Sequence, residues 1–154
     1  MTNYEELRTI VPSLIDDKYD ITTLANTSAL LNMYLEDINW VGFYLLKKDE
    51  LILGPFQGKP ACTNIKVGKG VCGTCILNKE TIIVKDVHEF KGHIACDFAS
   101  NSEICIPLYD KYNNLYGLLD IDSPILNRFN AIDKENLENI CKIISKGLNG
   151  NLWI

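Results

Sequence analysis

The run Trp40-Val41-Gly42-Phe43-Tyr44-Leu45-Leu46-Lys47 continues through Lys48-Asp49-Glu50 into Leu51-Ile52-Leu53-Gly54-Pro55-Phe56. Two segments rich in aromatic and branched residues around a charged turn predict a β-hairpin, Trp40–Lys47 with Leu51–Phe56. Trp40 and Tyr44 are four residues apart and therefore share one strand face. They form an aromatic wall there, or Tyr44 serves simply as core.

Beyond the hairpin, shorter β-like runs follow at Thr81–Val84, Glu103–Leu108 and Leu115–Ile121. Before it, Leu7, Ile10, Val11, Leu14 and Ile15 recur at helical spacing, with Pro12 dividing or kinking that helix. Leu24, Leu31, Leu35 and Ile38 predict a second amphipathic helix, with Ser28 on the same face. At the end of the chain Leu137, Ile140, Cys141, Ile144 and Leu148 share a helix face. Asn130 is placed to cap it, and Gly147 or Gly150 to stop it. Gln57 to Ser102 is rich in glycine, cysteine and histidine and poor in periodicity. Ile65, Val67, Val71, Ile76, Leu77 and Ile82–Val84 can anchor it, so it reads as a functional segment rather than a disordered one. The expectation is one α/β (α+β) domain, residues 1–154, with helices at both ends of a mainly antiparallel sheet.

The chain has 154 residues, 47% hydrophobic and 23% charged, a composition suited to a soluble globular domain with a sizeable core. No apolar run approaches the roughly 18 residues of a membrane span. Met1-Thr2-Asn3-Tyr4-Glu5-Glu6 has neither the basic nor the apolar part of a signal peptide, which points to the cytoplasm. The formal net charge is −5 with no cluster of Lys or Arg, which argues against a nucleic-acid partner.

Six cysteines, at 62, 72, 75, 96, 105 and 141, make metal binding or thiol chemistry the better expectation where no export signal implies a disulfide framework. Cys141 and Cys105 read as small buried hydrophobes. Cys72-x2-Cys75 followed by His88-x4-His93 fits zinc-finger spacing. The context disagrees: Gly92 precedes His93, Thr81–Val84 is β-like, and no basic surface accompanies the pattern. A thioredoxin-type dithiol is disfavoured too, because no βαβ pattern surrounds Cys72-x2-Cys75. No metal or cofactor is expected.

Five stretches carry a more specific signal. They are Asn39–Tyr44; Leu53-Gly54-Pro55-Phe56-Gln57-Gly58-Lys59-Pro60-Ala61-Cys62; Gly68-Lys69-Gly70-Val71-Cys72-Gly73-Thr74; Gly92-His93-Ile94-Ala95-Cys96-Asp97 running into Ser100–Ile104; and Leu119-Asp120-Ile121-Asp122-Ser123. In order and spacing they resemble the free methionine-R-sulfoxide reductases, single-domain enzymes of the GAF fold. The resemblance implies a single GAF-like domain and redox cysteines at Cys62, Cys72 and Cys96. It suggests Cys96 as the attacking thiol and Cys62 as the main resolving one. Cys72 is then a second resolving thiol or an alternative nucleophile. Cys75 and Cys105 fall outside the family's pattern. Lys91 stands where proline is usual, Phe98 where a small residue is usual, and the Tyr109–Leu115 turn is long by a residue.

Sulfoxide reduction needs a thiolate to attack sulfur while the oxygen gains protons. A second thiol then resolves the sulfenic acid, and an external dithiol regenerates the enzyme. Glu103 and Asp122 are the candidate acids. Asp120 and Asp122 alternate with apolar residues on one strand face, as Glu103 does with Ile104 and Ile106. Two carboxylates converging on a pocket would raise one pKa; otherwise these are solvent-facing acids on an exposed sheet face. Trp40 and Tyr44 suit the S-methyl group, and Asp120, Asp122 and Glu103 the ammonium. His93 either lowers the Cys96 pKa or shapes its loop. The implied partners are free methionine-R-sulfoxide and a thioredoxin-like dithiol, and a homodimer is compatible with them. The competing expectation is a GAF-type small-ligand-binding or redox-sensing module. Such modules normally adjoin an effector domain, for which 154 residues leave no room.

Overall fold

The computed structural model describes residues 1–93 and 99–152. Helix α1 covers Tyr4–Ile10, its first turn capped by the Asn3 side chain. Pro12 lies in a 3-10 segment, Val11–Leu14, that follows directly. The interruption falls where Pro12 is expected to put it, since its missing N–H is tolerated in a first turn but not inside a helix. Helix α2 spans Asp20–Tyr34 and buries Leu24, Ser28 and Leu31. It is shorter than the apolar spacing predicts. Leu35 is already extended, and Asp37 adopts a positive φ of 54° to turn the chain toward the first strand, so Ile38 lies beyond the helix.

Strands β1 (Trp40–Lys47) and β2 (Glu50–Gly58) form the expected hairpin. Lys47 pairs with Glu50, and Lys48 takes the left-handed conformation at the turn. Four further strands, β3 (Asn64–Lys66), β4 (Ile82–Val84), β5 (Ser102–Tyr109) and β6 (Leu115–Ser123), complete one sheet in the order β3-β2-β1-β6-β5-β4. Every neighbouring pair is antiparallel.

Strand alternation gives the sheet two different faces. Val41, Phe43, Ile104, Ile106, Leu108, Leu119 and Ile121 point to one side, against residues of α1, α2 and the last helix, α4 (Ala131–Ser145). Their neighbours Trp40, Tyr44, Cys105 and Leu118 point to the other side. Asn130 caps α4 as predicted, in a capping box with Asp133. Asp133 also accepts from the Tyr4 hydroxyl at 2.5 Å and from Arg128 at 3.2 Å, tying α1 to α4. Asp20, fully buried, accepts from the Tyr116 hydroxyl at 3.0 Å and from the backbone N–H groups of Asn149 and Gly150. That one carboxylate joins α2, β6 and the chain beyond α4.

One helix beyond the three expected from the sequence is present. Within Gln57–Ser102 lies α3, Gly70–Asn78, on the face opposite the other helices. Two glycines and three β-branched residues give it poor intrinsic propensity, and burial of Val71, Cys72, Cys75 and Ile76 holds it instead. Gly73 is required by space: a Cβ there would come within 2.5 Å of the Lys66 carbonyl oxygen. Among the described residues no helix is long and apolar enough to cross a membrane.

Candidate active site

Between α3 and the sheet lies a pocket whose floor is set by strand register. Trp40 pairs with Asp122 and Gly42 with Asp120 across β1 and β6; Glu103 pairs with Asp122 and Cys105 with Asp120 across β5 and β6. Residues directly opposite in a ladder sit close enough for their side chains to interact. The three acids therefore gather on one face, and all three border the pocket. Glu103 and Asp120 are 6% and 5% exposed, so the alternative of acids on an open sheet face is excluded for both.

The aromatic residues close one wall. Trp40 stacks on Phe56 with ring centroids 5.1 Å apart and on Tyr44 at 6.0 Å. The Trp40 indole N–H donates to the Lys59 carbonyl at 3.1 Å, and the Tyr44 hydroxyl donates to the Cys62 carbonyl at 2.8 Å. Both side chains are thus core and pocket wall together, and both hold the Lys59–Cys62 segment in place. Cys62 itself is disulfide-bonded. Cys96, the attacking thiol suggested by the resemblance, lies outside the described residues.

Cys72 enters from α3. Its sulfur lies 3.7 Å from Glu103 Oε2 and 3.4 Å from the sulfur of Cys105. Cys105 in turn lies 3.4 Å from Glu103 Oε2 and 3.1 Å from Asp120 Oδ1. Burial, then the charges of Asp120 and Asp122 and a hydrogen bond with Asp120, push the Glu103 carboxyl well above the usual carboxylate range. The contact with Cys105 pulls the Cys72 thiol down. Burial and the charges of Asp120 and Asp122 outweigh it and push that thiol up to about 11. Burial and the neighbouring carboxylates thus favour the protonated form of Glu103 beside that of the Cys72 thiol.

The other candidates separate clearly. His93 borders the pocket, and burial there lowers its pKa. His88 is exposed and bonds Asp86, its neighbour in a 3-10 turn. Cys72 and Cys75 lie on α3, far from the geometry of a finger, and the zinc-finger spacing has no structural counterpart among the described residues. Cys141 is core, as expected. Cys105 is not merely a buried hydrophobe: it stands between two carboxylates and a thiol. Strand alternation was the available signal, since Glu103 and Cys105 are two apart. Lys69 and Ser100 also border the pocket; both lie within the stretches that carry the family resemblance, but the sequence assigned neither a role.

An antiparallel six-stranded sheet with helices behind it and a small-molecule pocket under a short helix in front defines a GAF-domain protein, and a family model described as "GAF domain" matches residues 20–148. The chain is 55% identical over 128 residues to the free methionine-R-sulfoxide reductase of Escherichia coli, covering 83% of this chain and 77% of that one. The reduced form of fRMsr of Staphylococcus aureus superimposes with a TM-score of 0.92 at 56% identity, covering 97% of each chain. A free methionine-R-sulfoxide reductase from Neisseria meningitidis in complex with its substrate superimposes with a TM-score of 0.88 at 40% identity, covering 94% of this chain and 87% of that one. The chain belongs to the family of free methionine-R-sulfoxide reductases.

Proposed function

We propose that this chain reduces free L-methionine-(R)-sulfoxide to L-methionine. The observation that carries this function is its 55% identity, over 97% of both chains, with the S. aureus fRMsr in complex with substrate. The Cys96 thiolate attacks the sulfoxide sulfur and takes the oxygen as a sulfenic acid, releasing the thioether. The Cys62 thiol then displaces that oxygen as water and forms a disulfide, which an external dithiol reduces to two thiols. The half-cystine state of Cys62 supports its resolving role. Cys72, with its thiol held up to about 11, suits a second resolving role better than attack, because the thiolate is the nucleophile.

Glu103 serves as the acid that protonates the leaving oxygen, assisted by Asp122, because burial and the neighbouring carboxylates favour its protonated form. Asp120 and Asp122 face the substrate ammonium, while Trp40 and Tyr44 contact its S-methyl group. The substrate carboxylate fits the start of α3: Gly70, Val71 and Cys72 border the pocket, and no side chain caps that helix end. The reaction uses residues 1–154 as one catalytic unit and needs neither metal nor organic cofactor. A thioredoxin-like dithiol in the cytoplasm is the regenerating partner, since the cycle requires a compartment that reduces disulfides. The test is turnover of purified protein with the R-epimer and a dithiol. Failure to form methionine would end this reading.

A further inference from the structure

Cys72, Glu103, Cys105 and Asp120 each offer one ligand atom, and all four atoms lie within 4.8 Å of one another. They come from three elements, α3, β5 and β6, each fixed by packing or by the sheet ladder. All four residues are buried. Among the described residues, no ion pair neutralises Glu103 or Asp120. Two carboxylates and two thiols thus converge with no ion-paired cation among the described residues.

The distances match a coordination shell. A tetrahedral ion with sulfur at about 2.3 Å and oxygen at about 2.1 Å has ligand–ligand edges of about 3.4–3.8 Å. Four of the six edges here measure 3.4 Å between the sulfurs, 3.7 and 3.4 Å from each sulfur to Glu103, and 3.1 Å from Cys105 to Asp120. The other two edges, from Asp120 to Cys72 and to Glu103, lie within 4.8 Å, so shifts of up to about an ångström would close the shell. The donor set selects the ion: magnesium and calcium take oxygen alone, whereas zinc accepts mixed sulfur and oxygen.

We propose that Cys72, Cys105, Asp120 and Glu103 bind one thiophilic divalent cation of the zinc class, and that the bound ion closes the pocket to substrate. Binding displaces one proton from each thiol and the carboxyl proton of Glu103, so the ion, two thiols and one carboxylic acid become a metal complex of two thiolates and a carboxylate plus three protons, with no redox change. Cys72, Glu103 and Asp120 line the pocket, so the ion takes the place of the substrate's polar end. Cys105 lies behind them and completes the shell. The closing of the pocket rests on the reductase reading; the binding does not.

The test uses the full chain, reduced with a phosphine and titrated without air with cobalt(II), then with zinc(II) against a chromogenic chelator. The expected result is one ion per chain, with sulfur-to-cobalt charge-transfer absorption. Cys105→Val should weaken binding about 100-fold or more, at least the penalty for losing an outer-shell partner. The Cys62→Ser/Cys96→Ser double variant should bind like the parent. Zinc should inhibit sulfoxide reduction by the parent competitively and leave Cys105→Val active. Should Cys105→Val fail to fold, Cys105→Ser replaces it, judged by loss of half the charge-transfer intensity. Absent charge transfer, equal zinc affinity in the Cys105 variant, or loss of the ion only in the double variant would each overturn the site. An ion bound through Cys105 to a protein inactive on methionine sulfoxide would overturn the reductase reading and leave the site standing. Binding without inhibition would overturn pocket closure alone.

Discussion

Glu103 and Asp122 stand directly opposite each other across the β5–β6 ladder, and this pairing adds to burial and to the charge of Asp120 in favouring the protonated form of Glu103. Glu103→Gln should lower the rate constant of sulfoxide reduction by more than tenfold, within the roughly 10²–10⁴ that a general acid contributes. Disulfide formation driven by an added oxidant should be nearly unchanged, because it delivers no proton to a sulfoxide. Single-turnover kinetics separate the two steps, and parent-like reduction by Glu103→Gln would remove the carboxyl from the mechanism.

The same residue makes a stability prediction with a definite sign. Its folded pKa lies above the ordinary value of 4.5, with burial as the main cause and Asp120 and Asp122 as the next. The folded chain therefore holds a proton that the unfolded chain releases. Glu103's contribution is complete below the unfolded pKa and is lost as pH rises toward the folded one. Subtracting the urea stability of Glu103→Gln from that of the parent should give a difference that falls with rising pH above about 4.5. A difference that rises would contradict the proton assignment.

Cys96→Ser should abolish turnover, whereas Cys62→Ser should reduce one equivalent of substrate and stop with a sulfenic acid on Cys96. Mass spectrometry after trapping with a sulfenate-specific dione reads both outcomes. Sustained turnover by Cys96→Ser would transfer the attacking role elsewhere.

Substrate size gives a further expectation. A pocket that pairs both the ammonium and the carboxylate of an amino acid loses both contacts when they are capped, leaving its own polar groups without partners. The N-acetyl, C-amide form of the R-epimer should react with a kcat/KM lower by at least about 10²-fold. Equal values for capped and free substrate would define an open, peptide-accepting site.

Asp20 is remote from the chemistry and offers a control. Asp20→Ala removes the acceptor of the Tyr116 hydroxyl and of two backbone N–H groups. Its unfolding free energy should drop by about 2–4 kcal/mol, as charged buried hydrogen bonds are lost. Activity per folded molecule should stay at the parent level.

How much of this was legible depended on which forces shaped each element. The hairpin, the capping box of Asn130 and the position of Pro12 follow from local chemistry, and each lies where the sequence indicates. Helix α3 does not follow, because Gly70 and Gly73 serve close packing rather than helix propensity, and its periodicity is too short to register. The acids at 103, 120 and 122 were legible as a face but not as a buried cluster, which only the β5–β6 register creates. By type alone Cys105 reads as an inert buried cysteine; the two carboxylates and the thiol around it come from three separate elements and are not visible in the sequence. Of the two histidines in the misleading zinc spacing, His88 points to solvent and His93 borders the pocket, since spacing alone cannot say which side of a loop a ring occupies.

The alternation along β5 and β6 has a genetic corollary. Ile104 and Ile106 serve the helices while Glu103, one step away, serves the pocket and Cys105 the layer packed beneath α3. Each strand carries two interleaved messages, and a single-residue insertion would exchange them. Carboxylates would enter the oily side and isoleucines the pocket, ruining stability and chemistry in one event. Point substitutions can drift on either side separately, but length changes within these strands should be nearly forbidden in any descendant that still works.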